Sequence, residues 1–137
     1  MTQEDKELLL KDLSARLPYG VIVEFPELFR PTLKIREKLE SIDKGHVNDC
    51  GQSIEFVKPF LRSMSSITKE EVKYKLSTFF KISNTKIEGV GYIPTLNSIS
   101  AIGYIDWLNA HHFDFRNLIE RGLALEAPDG MYNLKEV

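Results

Sequence analysis

The side chains best suited to chemistry gather in His111-His112-Phe113-Asp114, where two imidazoles stand beside a carboxylate. Such groups bind metals or move protons near neutral pH. The spacing argues against both roles. Successive helical residues point about 100° apart, so His111 and His112 cannot reach one ion from a regular helix end, and the i, i+4 pairing of helical zinc sites is missing. Helical angle instead puts His112 between Ala101 and Ile105 on an apolar face, which predicts a packed or helix-capping histidine, with Asp114 as an N-cap. His46 and Cys50 lie in the turn-like His46-Val47-Asn48-Asp49-Cys50-Gly51, so the thiol lacks a base at helical spacing. Cys50 is the only cysteine, which excludes an internal disulfide and a multi-cysteine zinc centre. Gly89-Val90-Gly91-Tyr92-Ile93-Pro94 lacks the third glycine, the lysine and the helix start of a phosphate loop, and neither Gly-x-Ser-x-Gly nor His-Glu-x-x-His occurs. The sequence therefore assigns no catalytic residue, no metal ligand and no cofactor.

Binding surfaces are better represented. Trp107 lies about 130° from the centre of its helix's apolar face at 100° per residue. Exposed beside Tyr104 and His111 it is a natural hot spot for a protein partner, and covered it is plain core; both alternatives stay open. Tyr104, Trp107, His111 and Arg116 are thus the candidate partner-binding residues. Between Lys58 and Lys86 seven basic residues (Lys58, Arg62, Lys69, Lys73, Lys75, Lys81, Lys86) face two acids (Glu70, Glu71), a local excess of five. Lys73, Lys75 and Lys81 spread around the polar half of a helical wheel, as they would to keep an apolar-faced helix soluble, so a nucleic-acid stripe is not favoured. The order helix, sharp turn, short helix, hairpin over 98–134 is reminiscent of a winged helix, the alternative function. Asp114 to Arg121 is nevertheless short for a recognition helix, and Glu126 and Asp129 stand where a wing wants lysine.

Several elements must position these residues. Thr2 with Asp5 reads as a capping box, and Leu9, Leu10, Leu13 and Leu17 recur at helical spacing, predicting a helix over 3–16 that Pro18-Tyr19-Gly20 stops. Val21–Phe25 alternates as a strand, and Pro26 and Pro31 bracket a connection to a segment in which Leu33 and Ile35 alternate with Lys34 and Arg36 as a strand would, while Ile35, Leu39 and Ile42 also fit a helix; the turn and the short strand that follow favour a strand. Asp43-Lys44-Gly45 is turn chemistry, and Ser53–Val57 offers a further short strand, so 18–60 reads as a small antiparallel sheet or partly open barrel. Thr68 with Glu71 caps a helix over 69–81. Ser83–Thr95 reads as a loop with a short strand through Val90–Ile93, and Ser98–His111 as a helix whose apolar face holds Ala101, Ile102, Tyr104, Ile105 and Leu108. Asp114 caps a short turn to Glu120, and Leu123–Glu126 with Met131–Leu134 flank Pro128-Asp129-Gly130 as a closing hairpin.

Three blocks also carry a likeness. Glu7-Leu8-Leu9-Leu10-Lys11-Asp12-Leu13-Ser14-Ala15-Arg16-Leu17-Pro18-Tyr19-Gly20-Val21, Val57-Lys58-Pro59-Phe60-Leu61-Arg62-Ser63-Met64-Ser65-Ser66 and Ile105-Asp106-Trp107-Leu108-Asn109-Ala110-His111-His112-Phe113-Asp114, the last continuing to Pro128, resemble a family of small uncharacterised proteins. These occur in gut anaerobes and their prophages or mobile elements. Ser63 departs from the proline of the family pattern, which loosens the turn that follows. The resemblance implies an accessory role and supplies no catalytic residue.

The 137 residues are 42% hydrophobic and 28% charged with a formal charge of -2, which excludes low-complexity disorder and gives no global field for nucleic acid or an acidic membrane. No apolar run approaches the ~20 residues of a membrane span. Acids in Met1-Thr2-Gln3-Glu4-Asp5 disfavour a signal peptide, and the expected compartment is the cytoplasm. The expectation is a single α+β domain over 1–137, β-rich over 18–60 and helical with a terminal hairpin over 65–137, acting as a non-enzymatic accessory protein with a protein partner.

Overall fold

The computed structural model describes residues 1–48, 52–71, 81–87, 91–95 and 98–132. The fold is α+β. Helix α1 (Gln3–Arg16) begins where the Thr2 hydroxyl accepts the Asp5 N–H at 3.0 Å, with Glu4 and Asp5 at the positive end of the helix dipole. It passes into a 3-10 turn, Leu17–Tyr19, and stops at Gly20 (φ +67°). A Cβ at Gly20 would stand 3.1 Å from Lys38 Cδ, so glycine serves both conformation and space.

Strands β1 (Ile22–Pro26) and β2 (Lys34–Lys38) then pair antiparallel, Phe25 opposite Ile35. Strands β3 (Ile42–Asp43) and β4 (His46–Val47) close a two-residue turn in which Lys44 (φ 51°) and Gly45 (φ 79°) both take the left-handed conformation of a hairpin turn. β5 (Gln52–Ser53) completes this small meander. The strand expected over Ser53–Val57 is replaced by a 3-10 turn, Ile54–Phe56, closed by Val57 N–H to Ile54 C=O. It delivers the chain to β6 (Lys58–Leu61), which pairs with β1.

Two further strands, β7 (Lys81–Ile87) and β8 (Gly91–Thr95), pair with each other, and β9 (Leu125–Glu126) returns to run parallel to β6. The main sheet thus has the order β2-β1-β6-β9 and is mixed, where an antiparallel one is expected, and it does not close into a barrel. The Pro128-Asp129-Gly130 turn forms, with Met131 N–H on the Pro128 carbonyl. Leu125–Glu126, however, takes its pairing from β6, and Asn133 and Leu134, in the far half of the expected hairpin, lie outside the described residues.

Tyr132 is built into the same sheet. Continuing the register Val23↔Pro59 by one step would bring Ile22 opposite Phe60. Instead the Ile22 N–H donates to the Tyr132 hydroxyl (2.9 Å), which donates to the Phe60 carbonyl (2.7 Å), so the phenol bridges β1 and β6. Burial, opposed by the Ile22 N–H and by Arg16, pushes this phenol up to about 12, so it stays a donor throughout the physiological range. Leu9, Leu13, Val21, Val23, Phe25, Leu39, Val57 and Leu61 form the core between α1 and the sheet.

The chain divides into two compact units, Met1–Met64 with Asn109–Val137, and Ser65–Leu108. In the second, Thr68 and Glu71 make the reciprocal capping box: Thr68 N–H to Glu71 Oε1 (3.0 Å) and Glu71 N–H to Thr68 Oγ1 (3.1 Å). Helix α2 (Lys69–Glu71) follows; positions 72–80 of the expected helix lie outside the described residues, and Lys81 already belongs to a strand. The expected loop over Ser83–Thr95 is largely the antiparallel pair of β7 with β8. Pro94 stands in a sheet that has two strands among the described residues, both of them edges, where a missing N–H is tolerated. Helix α3 (Ser98–Ala110) ends the unit, its last two residues, Asn109 and Ala110, belonging to the first.

Replacing Tyr132 by Phe removes the bridge and leaves the Ile22 N–H without its acceptor. Urea unfolding is expected to show a loss of about 1–3 kcal/mol, the cost of an unsatisfied buried polar group; an unchanged midpoint would show that water replaces the phenol.

Candidate functional site

The residues singled out by chemistry turn inward. Trp107 is 8% exposed and His111 7%, while Tyr104 is half-buried. Tyr104, Trp107, Leu108 and His111 follow i, i+3, i+4, i+7, so theirs is the covered face of α3. Among its described side chains the apolar ones that face solvent are Ile102 and Ile105, both expected on the buried side. Arg116 Nη1 lies 2.8 Å from Asp12 Oδ1 and 3.4 Å from Asn109 Oδ1, and its guanidinium stands 4.2 Å from the Phe115 ring centroid. Arg116 is thereby committed to an internal contact. These four candidate residues do not form one exposed patch.

Asp12 is the hub of that contact. It and Arg16 are buried, one helical turn apart on α1, joined by Arg16 Nε to Asp12 Oδ2 at 2.9 Å. Arg16 Nη2 donates to the Phe113 carbonyl. One carboxylate thus serves two guanidiniums, one from its own helix and one from the 109–118 segment. Burial makes such a pair costly to break, because either partner alone would be an uncompensated charge.

The 109–118 segment that Arg16 grips is held on its other side by the chain leaving β6. The Arg62 N–H donates to the His112 carbonyl (2.7 Å) and the Asp114 N–H to the Arg62 carbonyl (2.8 Å), a parallel bridge. The Arg62 guanidinium lies 4.0 Å from the Phe113 ring centroid. His112 leaves the helix in the left-handed conformation (φ 63°), its N–H on the Asn109 carbonyl, which is a helix-capping position. Its ring stacks on Tyr132 at 3.9 Å. Burial first, then Arg16, His111 and Arg62, lower its pKa to about 3, so the imidazole is neutral and packed. Asp114 caps the turns that follow, accepting Leu118 N–H (2.7 Å) and Ile119 N–H (3.0 Å), and residues 115–122 run as turns rather than a recognition helix.

His46 is exposed with Nδ1 near the Lys44 carbonyl (3.1 Å), and Cys50 lies outside the described residues. Among the described residues no group of three or more His, Cys, Asp or Glu side chains is placed to hold a metal ion, and no helix is long and apolar enough to cross a membrane.

Among the described residues, apolar groups stand exposed on α3 at Ile102 and Ile105 and also on the β1–β2 connection, which in sequence reads only as a proline-bracketed link and which carries the most exposed of them, Phe29. Phe29 is 91% exposed, Leu28 65% and Leu33 47%. The connection is closed by its own bonds: Glu27 N–H to Leu33 C=O (2.9 Å), Leu33 N–H to Arg30 C=O (2.8 Å), and Arg30 Nε to Glu27 Oε1 (3.2 Å). The tip is therefore held out rather than collapsed. Beneath it lies a cleft of about 180 Å³ lined by Phe25, Glu27, Leu28, Phe29, Ile35 and Gln52. The signal available in the sequence is Leu28-Phe29 between two prolines, where no apolar period buries them.

No protein-family model, curated protein or solved structure matches the chain.

For His112 the folded pKa lies below the ordinary 6.5, so as pH falls the unfolded chain takes up the proton first and stability is lost from about 6.5 downward. His112→Asn tolerates the left-handed backbone but loses the stack, and is expected to be less stable than wild type at pH 7.5. That gap should narrow by up to about 1.4 kcal/mol per pH unit between pH 6.5 and 5; a pH-independent gap in chemical denaturation would contradict the buried neutral imidazole.

Proposed function

We propose that the protein is a non-enzymatic accessory protein of the cytoplasm that works by docking a protein partner on the β1–β2 connection. The observation that carries this is the exposure of Phe29 and Leu28 on a tip fixed by its own hydrogen bonds, above an apolar cleft. Exposed contiguous apolar groups on an ordered surface mark interaction sites, and aromatic side chains dominate the energetics of such contacts. The resemblance to small proteins of gut anaerobes and their mobile elements supports an accessory role in that setting. The partner surface is thereby moved from Tyr104, Trp107, His111 and Arg116 to residues 25–36. The winged-helix alternative has less behind it, since 115–122 offers turns and Arg116 is engaged by Asp12.

Benzoylphenylalanine placed at position 29, in cells of the natural host, is expected to give a defined protein adduct on irradiation, and the same probe at the exposed Ser14 of α1 to give none. Absence of an adduct at position 29, or the same adducts from both positions, would remove the connection from consideration.

A further inference from the structure

The free edge of the sheet beside this tip specifies more than an apolar contact. Strand β2 is terminal in the order β2-β1-β6-β9. Two bonds fix which of its backbone groups face β1: Glu27 N–H to Leu33 C=O and Leu39 N–H to Val21 C=O. Antiparallel pairing alternates, so residues 33, 35, 37 and 39 face β1 while Lys34, Arg36 and Lys38 turn their N–H and C=O groups outward. The outward Lys38 carbonyl accepts Asn48 Nδ2 (3.0 Å), and Asn48 Oδ1 accepts the Glu40 N–H (2.7 Å), so one end of the edge is closed. Lys34 and Arg36 remain as the open edge among the described residues.

Side chains alternate along the same line. Lys34, Arg36 and Lys38 are exposed on one face of the sheet, with Arg36 Nε 3.3 Å from Glu24 Oε1. On the other face Ile35 lines the apolar cleft with Phe25, Leu28 and Phe29. A strand added to this edge would lay alternate side chains on the basic face and in the cleft.

Resting on the docking surface proposed above, we infer that the outer edge of β2 receives an extended partner segment in which acidic and apolar side chains alternate, added to the sheet as a further strand. Charge complementarity selects the acidic residues, and the cleft selects the apolar ones. A second copy of this chain is disfavoured as occupant, because two β2 edges would set Lys34, Arg36 and Lys38 against their own kind.

The test uses fluorescein-labelled hexapeptides and anisotropy with the full chain. Glu-Val-Glu-Phe-Glu-Val is expected to bind at least about tenfold more tightly than Glu-Glu-Glu-Val-Val-Phe of the same composition, because only the first keeps the two-residue period of a strand. Lys-Val-Lys-Phe-Lys-Val should not bind wild type but should bind Lys34→Glu/Lys38→Glu, a gain that a misfolded variant could not give. Lys34→Pro, which removes an outward N–H at the first residue of an edge strand, should weaken binding more than Lys34→Gln, which removes the charge alone. Equal binding of the two acidic peptides, or no binding of either, would overturn the strand addition. So would retention of oligo-dT, lost in Lys34→Glu/Lys38→Glu, without peptide binding, since the edge would then be a nucleic-acid surface. An adduct at position 29 alongside peptide failure retains the docking surface and discards its strand chemistry; absence of the adduct discards the surface itself.

Discussion

A guanidinium withdrawn from water at Arg16 organises the larger unit. Its charge is met by Asp12 on the same helix and by the Phe113 carbonyl, and Asp12 is shared with Arg116. Breaking the buried pair from either side would strand a charge, at a cost of about 3–5 kcal/mol. Helix α1 and the 109–118 segment are therefore mutually required. That segment in turn lends His112 C=O and Asp114 N–H to Arg62, just beyond β6, and its His112 ring supports Tyr132, whose hydroxyl joins β6 to β1. Helix, segment and sheet form one chain of dependence.

Much of this is legible in the residues, and the omissions have physical causes. The helix over 3–16, the strands around Val21–Phe25 and Leu33–Arg36 and the Lys44-Gly45 turn follow from local capping, alternation and turn chemistry, which act within a few residues. Asp12 and Arg16 escape a reading in which leucine spacing alone defines the buried stripe. Yet Leu9, Asp12, Leu13 and Arg16 follow i, i+3, i+4, i+7, and all four are buried. An acid and a base one turn apart within an apolar stripe is a readable sign of a buried pair. The parallel pairing of β9 with β6 joins residues more than sixty positions apart, which no local pattern encodes.

The candidate site shows the same division. His112 is capping and packed as expected, but not for the reason helical angle gives: the angle sets it beside Ile105, which faces solvent, whereas the ring is packed by the left-handed exit from the helix and its stack on Tyr132. Trp107 is undecided by the same wheel, because angle alone cannot tell which side of a helix will be covered. The β1–β2 tip carries only a weak signal in the sequence, Leu28-Phe29 in a link between prolines without an apolar period, and its meaning depends on exposure. The basic face of β2 is hidden by a near-neutral total, in which Lys34, Arg36 and Lys38 are balanced by acids elsewhere.

Amide hydrogen exchange in Asp12→Asn tests this chain of dependence most directly. Protection at the Arg62 and Asp114 amides is predicted to fall well before that of Glu37 and Leu39 in the β2–β1 ladder, because the segment held by the buried charges loosens first. Equal loss of protection at all four amides, or none at Arg62 and Asp114, would contradict it.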